Sequence, residues 1–190
     1  MNTTSLFVEL VVIGVGVMIW VLLLAIAFGG VPAAAFDQGL LLAAAIPVLA
    51  LIYVFGIVWD RFADAIFNRL WGIGLRAHYY AEIGEYYSDR RVLLIEAPAL
   101  AELLEYGRSR LRICRGWSLN ALFISVSLWV LLAVQSEQSE STRALLLVAS
   151  LAGLLLAAGC WLAWRNLTLT EYRKIRDQAR YLDETSPEQA

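Results

Sequence analysis

Residues 60–116, DRFADAIFNRLWGIGLRAHYYAEIGEYYSDRRVLLIEAPALAELLEYGRSRLRICRG, form the only long polar segment of this 190-residue chain, and their reading decides the fold. The segment carries nine of the fifteen basic residues, and a pair of long apolar runs stands on either side of it. Those runs cover residues 6–28, 39–59, 117–134 and 144–164. A hydrocarbon layer about 30 Å thick takes about 20 residues of helix to cross, and each run comes close to or exceeds that length. Lipid offers no partners to loose backbone groups, so each run must be helical. With 60% hydrophobic residues and seven Trp, a soluble domain of this size would leave too much apolar surface in water.

Short links tie the runs into pairs. Residues 29–38 are rich in Gly, Pro and Ala, and residues 135–142 are polar throughout. Links this short make each pair an antiparallel hairpin. The expected organisation is therefore all-α and polytopic: a first transmembrane hairpin (1–59), a helical segment (60–116), a second hairpin (117–164) and a tail helix (165–190). The first run follows no Lys or Arg and exceeds the apolar length of a secretion signal, so it reads as a retained span.

Orientation follows from the basic residues. The two short links contain none until Arg143, while the central segment and tail hold the other fourteen. Positive loops stay in the cytoplasm, which puts both termini and the central segment there and the protein in the inner (plasma) membrane. Trp59, Trp117, Trp161 and Trp164 fall at the inner boundary, where amphipathic rings settle.

Within the polar segment, Phe62, Ile66, Leu70 and Ile73 continue the second span at helical spacing, and Gly72 and Gly74 mark a break. A Tyr-rich helix is expected over residues 75–90. Pro98 suits the first turn of the next helix, because its missing donor is not needed there. Tyr172, Ile175, Ala179 and Leu182 make an apolar stripe on the tail; two heptads cannot stand free, so it packs on other helices or docks a partner. Residues 185–190 are expected to fray.

The polar residues in or near the spans are the candidate sites. Glu9 is the one acidic residue inside a run, so it faces the bundle interior or lies among headgroups, with Arg115 as its expected partner. Asn120 and Ser127 lie on one face of the third span with Ile124 and Leu131; that face meets protein, or lines a hydrated path. Ala149, Gly153 and Ala157 recur every four residues on the fourth span and allow close helix packing. Arg108, Arg112 and Arg115 share a face just inside the membrane and meet lipid phosphates or another anion. Asp60, Asp64 and Asn68 form a stripe that would ring a vestibule in an oligomer, or pair with Arg61 and Arg69 as a solvated face.

Several classes drop out. His78, Glu82 and Glu85 share a helical face, but metal sites in bundles draw ligands from facing helices. Cys114 and Cys160 have no metal or redox spacing. No nucleophile sits beside a base and no Gly-rich phosphate loop occurs, so neither an enzyme nor a cofactor is expected. Eight acidic residues offset the nine Arg of the central segment, which argues against nucleic acid. The expected function is a non-enzymatic, self-associating membrane subunit that acts as sensor or anchor for a cytosolic protein partner. Small four-span subunits of that kind occur in bacterial phage-defence systems, a parallel of architecture and not of residues. The alternative is an oligomeric ion channel lined by the third span.

Overall fold

The computed structural model describes residues 3–29, 38–96, 98–135 and 139–185. The links at 30–37 and 136–138 and the end of the tail at 186–190 lie outside the described residues, and so do the side chains of 98–105. The helices are α1 (Thr3–Gly29), α2 (Gln38–Phe67), α3 (Ile73–Ala77), α4 (Ile83–Glu96), α5 (Pro98–Val134) and α6 (Glu140–Thr185). Four of them, α1, α2, α5 and α6, are long and apolar enough to cross a membrane, which makes this an all-α, multi-pass membrane protein. Their outward faces carry bare apolar side chains, among them Ile46 at 81% exposure and Leu155 at 74%. In water such a surface would be a liability, whereas in lipid it is the normal boundary.

Helix α1 sits between α2 and α5, and α6 lies along α5. Side-chain bonds from α1 to α5 climb together: Glu9 with Arg112, Ile13 with Asn120 and Ile26 with Gln135. The two helices are therefore parallel, and each hairpin sends its second helix, α2 or α6, back antiparallel.

Close approach is written into small residues. A side-chain carbon on Gly14 would collide with the carbonyl of Ile52, and one on Gly56 with that of Leu10, so α1 and α2 touch backbone to backbone. On the other side of α5, Ser125 Oγ donates to the Ser150 carbonyl (3.0 Å) and Ser118 Oγ to that of Ala157 (3.1 Å). Gly153 leaves the space that Ser125 Oγ fills. Gly153 and Ala157 thus pack inside the chain, but Ala149 is exposed. The residue that faces α5 at that level is Ser150, one position on, fully buried.

Beyond the apolar bundle, α2, α5 and α6 continue into a small cap completed by α3 and α4. The expected break at Gly72 and Gly74 is not a break. A π-helical turn spans Asn68–Gly72 and leads directly into α3. The chain leaves helix later, at residues 78–82, where the amides of Tyr79 and Tyr80 both donate to the Arg76 carbonyl. A single helix over 75–90 does not form. Its axis is interrupted where Tyr80 turns in, 4% exposed, against the rings of Tyr86 and Tyr172. His78 and Glu82 thereby stand at the two ends of the turn with Glu85 beyond it in α4, and among the described residues no three potential ligands converge on a metal position.

The tryptophans also depart from a simple boundary belt. Trp59 and Trp164 are buried, the first against Trp20 and Phe123, the second against Phe67 and Trp71. Burying these large rings between helices gains more contact area than leaving them at headgroup level. The tail stripe is likewise covered. Ile175 and Ala179 are buried where α4 lies on α6, and Tyr172 stacks edge-on with Tyr86. The stripe is thus largely used within the chain, with Tyr172 and Leu182 half-buried.

Candidate functional site

Where the bundle meets the cap, a cluster of charges joins three helices. Asp60 and Asp64 lie one turn apart on α2, followed on the same inward side by buried Phe67. Arg108, Arg112 and Arg115 recur on one side of α5, and Glu9 comes in from α1. Arg112 Nη1 donates to Glu9 Oε2 at 3.1 Å, and its Nε approaches Asp60 Oδ2 at 3.6 Å. Arg115 bridges the two aspartates, reaching Asp60 Oδ1 at 3.0 Å through Nη2 and Asp64 through Nη1. Arg61 completes the shell of Asp60 from outside at 3.4 Å.

Burial makes this clamp matter. Asp60 is 1% exposed and Glu9 5%. Enclosing a carboxylate is costly unless cations and donors surround it, and here two guanidinium forks do so. Gly116 stands next to the clamp, where a side-chain carbon would lie 3.0 Å from Ile13 Cγ1. Its lack of a side chain lets α1 come close enough for Glu9 to reach α5.

The pairing differs from the one expected. Glu9 takes Arg112, one turn earlier on α5, and not Arg115, because Arg112 stands at its level and Arg115 is held by α2. The solvated face expected for Asp60 and Asp64 with Arg61 and Arg69 forms only in part: Asp64 is half-exposed and Arg61 reaches Asp60, but no ion pair joins either aspartate to Arg69 among the described residues. Asp60 is turned into the chain, and Asn68 is drawn back over Gly72, its Oδ1 lying 2.7 Å from where a side-chain carbon would stand. Asn120 Nδ2 donates to the Ile13 carbonyl at 2.9 Å, and Ser127 Oγ to that of Phe123 in its own helix at 2.8 Å. Both are fully buried within the bundle.

Above the clamp the cap encloses a cavity of about 440 Å³, open on one side. The clamp residues Asp60, Asp64, Arg112 and Arg115 form its floor, and α3, α4 and α6 supply walls through Arg76, Arg90, Tyr86, Tyr87, Trp164, Thr168, Glu171 and Tyr172. Arg108 crosses from α5 toward Glu171 on α6, with Nε and Oε1 3.9 Å apart. Six arginines against three carboxylates line the space, an excess of three positive charges. Burial raises the phenol pKa of Tyr86 above its ordinary value, so that hydroxyl stays protonated and able to donate.

Sequence reasoning missed Arg76, Arg90 and Glu171. Arg76 and Arg90 gave no signal, since their meeting depends on the turn at 78–82. Glu171 did give one. Trp164, Thr168, Glu171, Ile175 and Ala179 follow a 4–3–4–4 spacing, so a carboxylate occupies a position that should be apolar.

No protein-family model, no curated protein and no solved structure matches this chain.

Proposed function

We propose that this protein is a non-enzymatic, self-associating subunit of the inner membrane, with both termini and the cap in the cytoplasm. In this reading the cap holds a cytosolic partner and passes its state to the bilayer. The observation that carries it is continuity: α5 and α6 run unbroken from the apolar bundle into the cap, 37 and 46 residues long. At about 1.5 Å per residue α6 is about 69 Å long, more than twice the span of the hydrocarbon layer. A shift of the cap therefore tilts helices in lipid, with the charged clamp as the fulcrum.

The tail stripe is largely used within the chain, so the partner surface belongs elsewhere. Helix α4 offers it: Ile83, Leu94 and Ile95 are 55%, 47% and 72% exposed on a helix outside the spans. The pore alternative draws less support, because Asn120 bonds to the backbone of α1 and Ser127 to its own helix.

The test has two arms. Mass photometry of the chain in nanodiscs is expected to give multiples of 21.1 kDa. Affinity purification from native membranes is expected to bring down one cytosolic protein in fixed ratio with wild type, and to lose it with Ile83→Asp/Ile95→Asp. A monomer in nanodiscs together with no stoichiometric partner overturns the proposal.

A further inference from the structure

We infer that the cap cavity is a binding site for a phosphorylated anion, one carrying two phosphate groups or an equivalent charge. This deepens the sensor reading by naming the class of its signal, but it stands on the cavity alone. Binding can succeed or fail whether or not the cap recruits a protein.

Of the six arginines of the cavity, Arg61 is mostly exposed and pairs with Asp60, and the other five are not all spent. On the floor, Arg112 and Arg115 are neutralised by Asp60, Asp64 and Glu9. On the walls, Arg108 has one long contact to Glu171, and Arg76 and Arg90 make no ion pair among the described residues. The positive excess is thus concentrated on the cap side, on residues from α3, α4 and α5 that face a common space. Like charges gathered this way repel one another and raise the energy of the empty site. An anion between them relieves that cost, and the planar fork of Arg matches phosphate oxygens in pairs.

Charge and size narrow the class. A phosphate monoester brings about two negative charges near pH 7, and the second phosphate of a diphosphate adds about one more, so a diphosphate matches an excess of three. The cavity also has room beyond two phosphates, and the half-open ring of Tyr87 stands at its wall. Such a group can arrive on a soluble compound, a nucleoside diphosphate being one chemical example, or on the head of an anionic phospholipid.

The experiment uses the full chain in nanodiscs. Inorganic pyrophosphate is titrated calorimetrically into protein held in phosphatidylcholine discs, and bound phosphorus is measured separately after purification from discs containing cardiolipin. Binding of pyrophosphate identifies a soluble source; retention of cardiolipin with no response to pyrophosphate identifies a lipid source. In either case Arg76→Gln/Arg90→Gln is expected to weaken binding at least about tenfold, and Arg90→Lys to weaken it less, since it keeps the charge but not the fork. The charge-matched control Arg173→Gln/Lys174→Gln, on the exposed side of the tail, is expected to leave binding unchanged. If wild type holds neither pyrophosphate nor cardiolipin, or if the control weakens binding as much as the cavity variant, the inference is overturned. Arg76 and Arg90 carry no ion pair, so their loss leaves the clamp intact, and a melting curve of each variant verifies that it is folded.

Discussion

Asp60 shows what one side chain can decide. It is enclosed almost completely and takes contacts from Arg61, Arg112 and Arg115. Asp60→Asn leaves those cations facing a neutral group at a position enclosed by three helices. Removing one partner of a buried pair typically costs about 3–5 kcal/mol; Asp64 and Glu9 remain as partial substitutes, so a loss of about 3 kcal/mol is expected. Asp64→Asn, by contrast, removes a side chain that is 51% exposed, and a screened pair of that kind is worth about 1 kcal/mol or less. Unfolding in mixed micelles by SDS titration separates the two, and equal losses would contradict the clamp. Tyr80 illustrates the opposite case. Its ring packs against Tyr86 and Tyr172, and its buried hydroxyl faces the Asp89 carboxylate in a weak hydrogen bond of poor geometry. Burial and the nearby Asp89 and Tyr86 raise its phenol pKa above the ordinary 10.0, opposed by Arg176. A raised folded pKa stabilises the protein below the unfolded value, and this contribution is lost as pH rises above about 10. Tyr80→Phe is expected to change stability by less than about 1 kcal/mol at neutral pH, because the weak bond to Asp89 offsets the cost of burying the hydroxyl. It should also flatten the alkaline decline, which thermal unfolding at about pH 7 and about pH 10.5 would reveal. Of these residues, Glu9, Asp60, Asp64, Arg112 and Arg115 were legible as polar groups out of place in or beside apolar runs. Which arginine meets which carboxylate was not, because pairing depends on the relative height of two helices, and a list of residues carries no heights.

At the level of the element, small residues set how near the helices come. Gly14 and Gly56 face each other's helix so closely that each would strike a carbonyl with any side chain. In lipid there is no hydrophobic drive between helices, so such close contact does much of the work of association. Gly56→Leu is expected to cost at least about 3 kcal/mol, since the obstacle is backbone and cannot repack as a side chain can. Gly159→Leu, at a position with nothing within 4 Å, should be neutral within about 0.5 kcal/mol. A comparison of both variants by the same SDS titration tests whether the α1–α2 crossing is a close backbone contact or a loose one. The spans themselves were readable because a run of some twenty apolar residues permits one solution in lipid. The cap was not, because helices of 5 and 14 residues end where a tertiary contact ends them. Nothing local to 78–82 announces a turn, as that stretch holds no Gly or Pro; the burial of Tyr80 produces it. The small-residue repeat at 149, 153 and 157 slipped for a related reason. A period of exactly four drifts around a helix of 3.6 residues per turn, so its first member leaves the face that the other two share.

Over the whole molecule, the charged clamp and the orientation of the chain are linked. Ions in the bundle are tolerable at its cap end, where the arginines can also reach phosphates and water, and costly at the centre. In the proposed orientation the clamp sets the depth at which α1, α2 and α5 sit in the bilayer, and the basic residues of the cap favour the cytoplasmic side. A consequence follows for both hairpins at once: Arg91 on α4 and Ser141 at the start of α6 must lie in opposite compartments. With Cys114 and Cys160 replaced by Ser, single cysteines are placed as Arg91→Cys and Ser141→Cys, both at exposed positions. A membrane-impermeant maleimide added to intact cells is expected to modify position 141 and to spare position 91 until the membrane is opened. Inside-out vesicles should give the reverse pattern. Labelling of both from one side would mean that one hairpin does not cross, and the continuity of α5 and α6 from lipid into the cap would then carry nothing across the boundary. Labelling of 91 alone from outside would keep the fold but invert it, and would assign the cap cavity to extracytoplasmic anions.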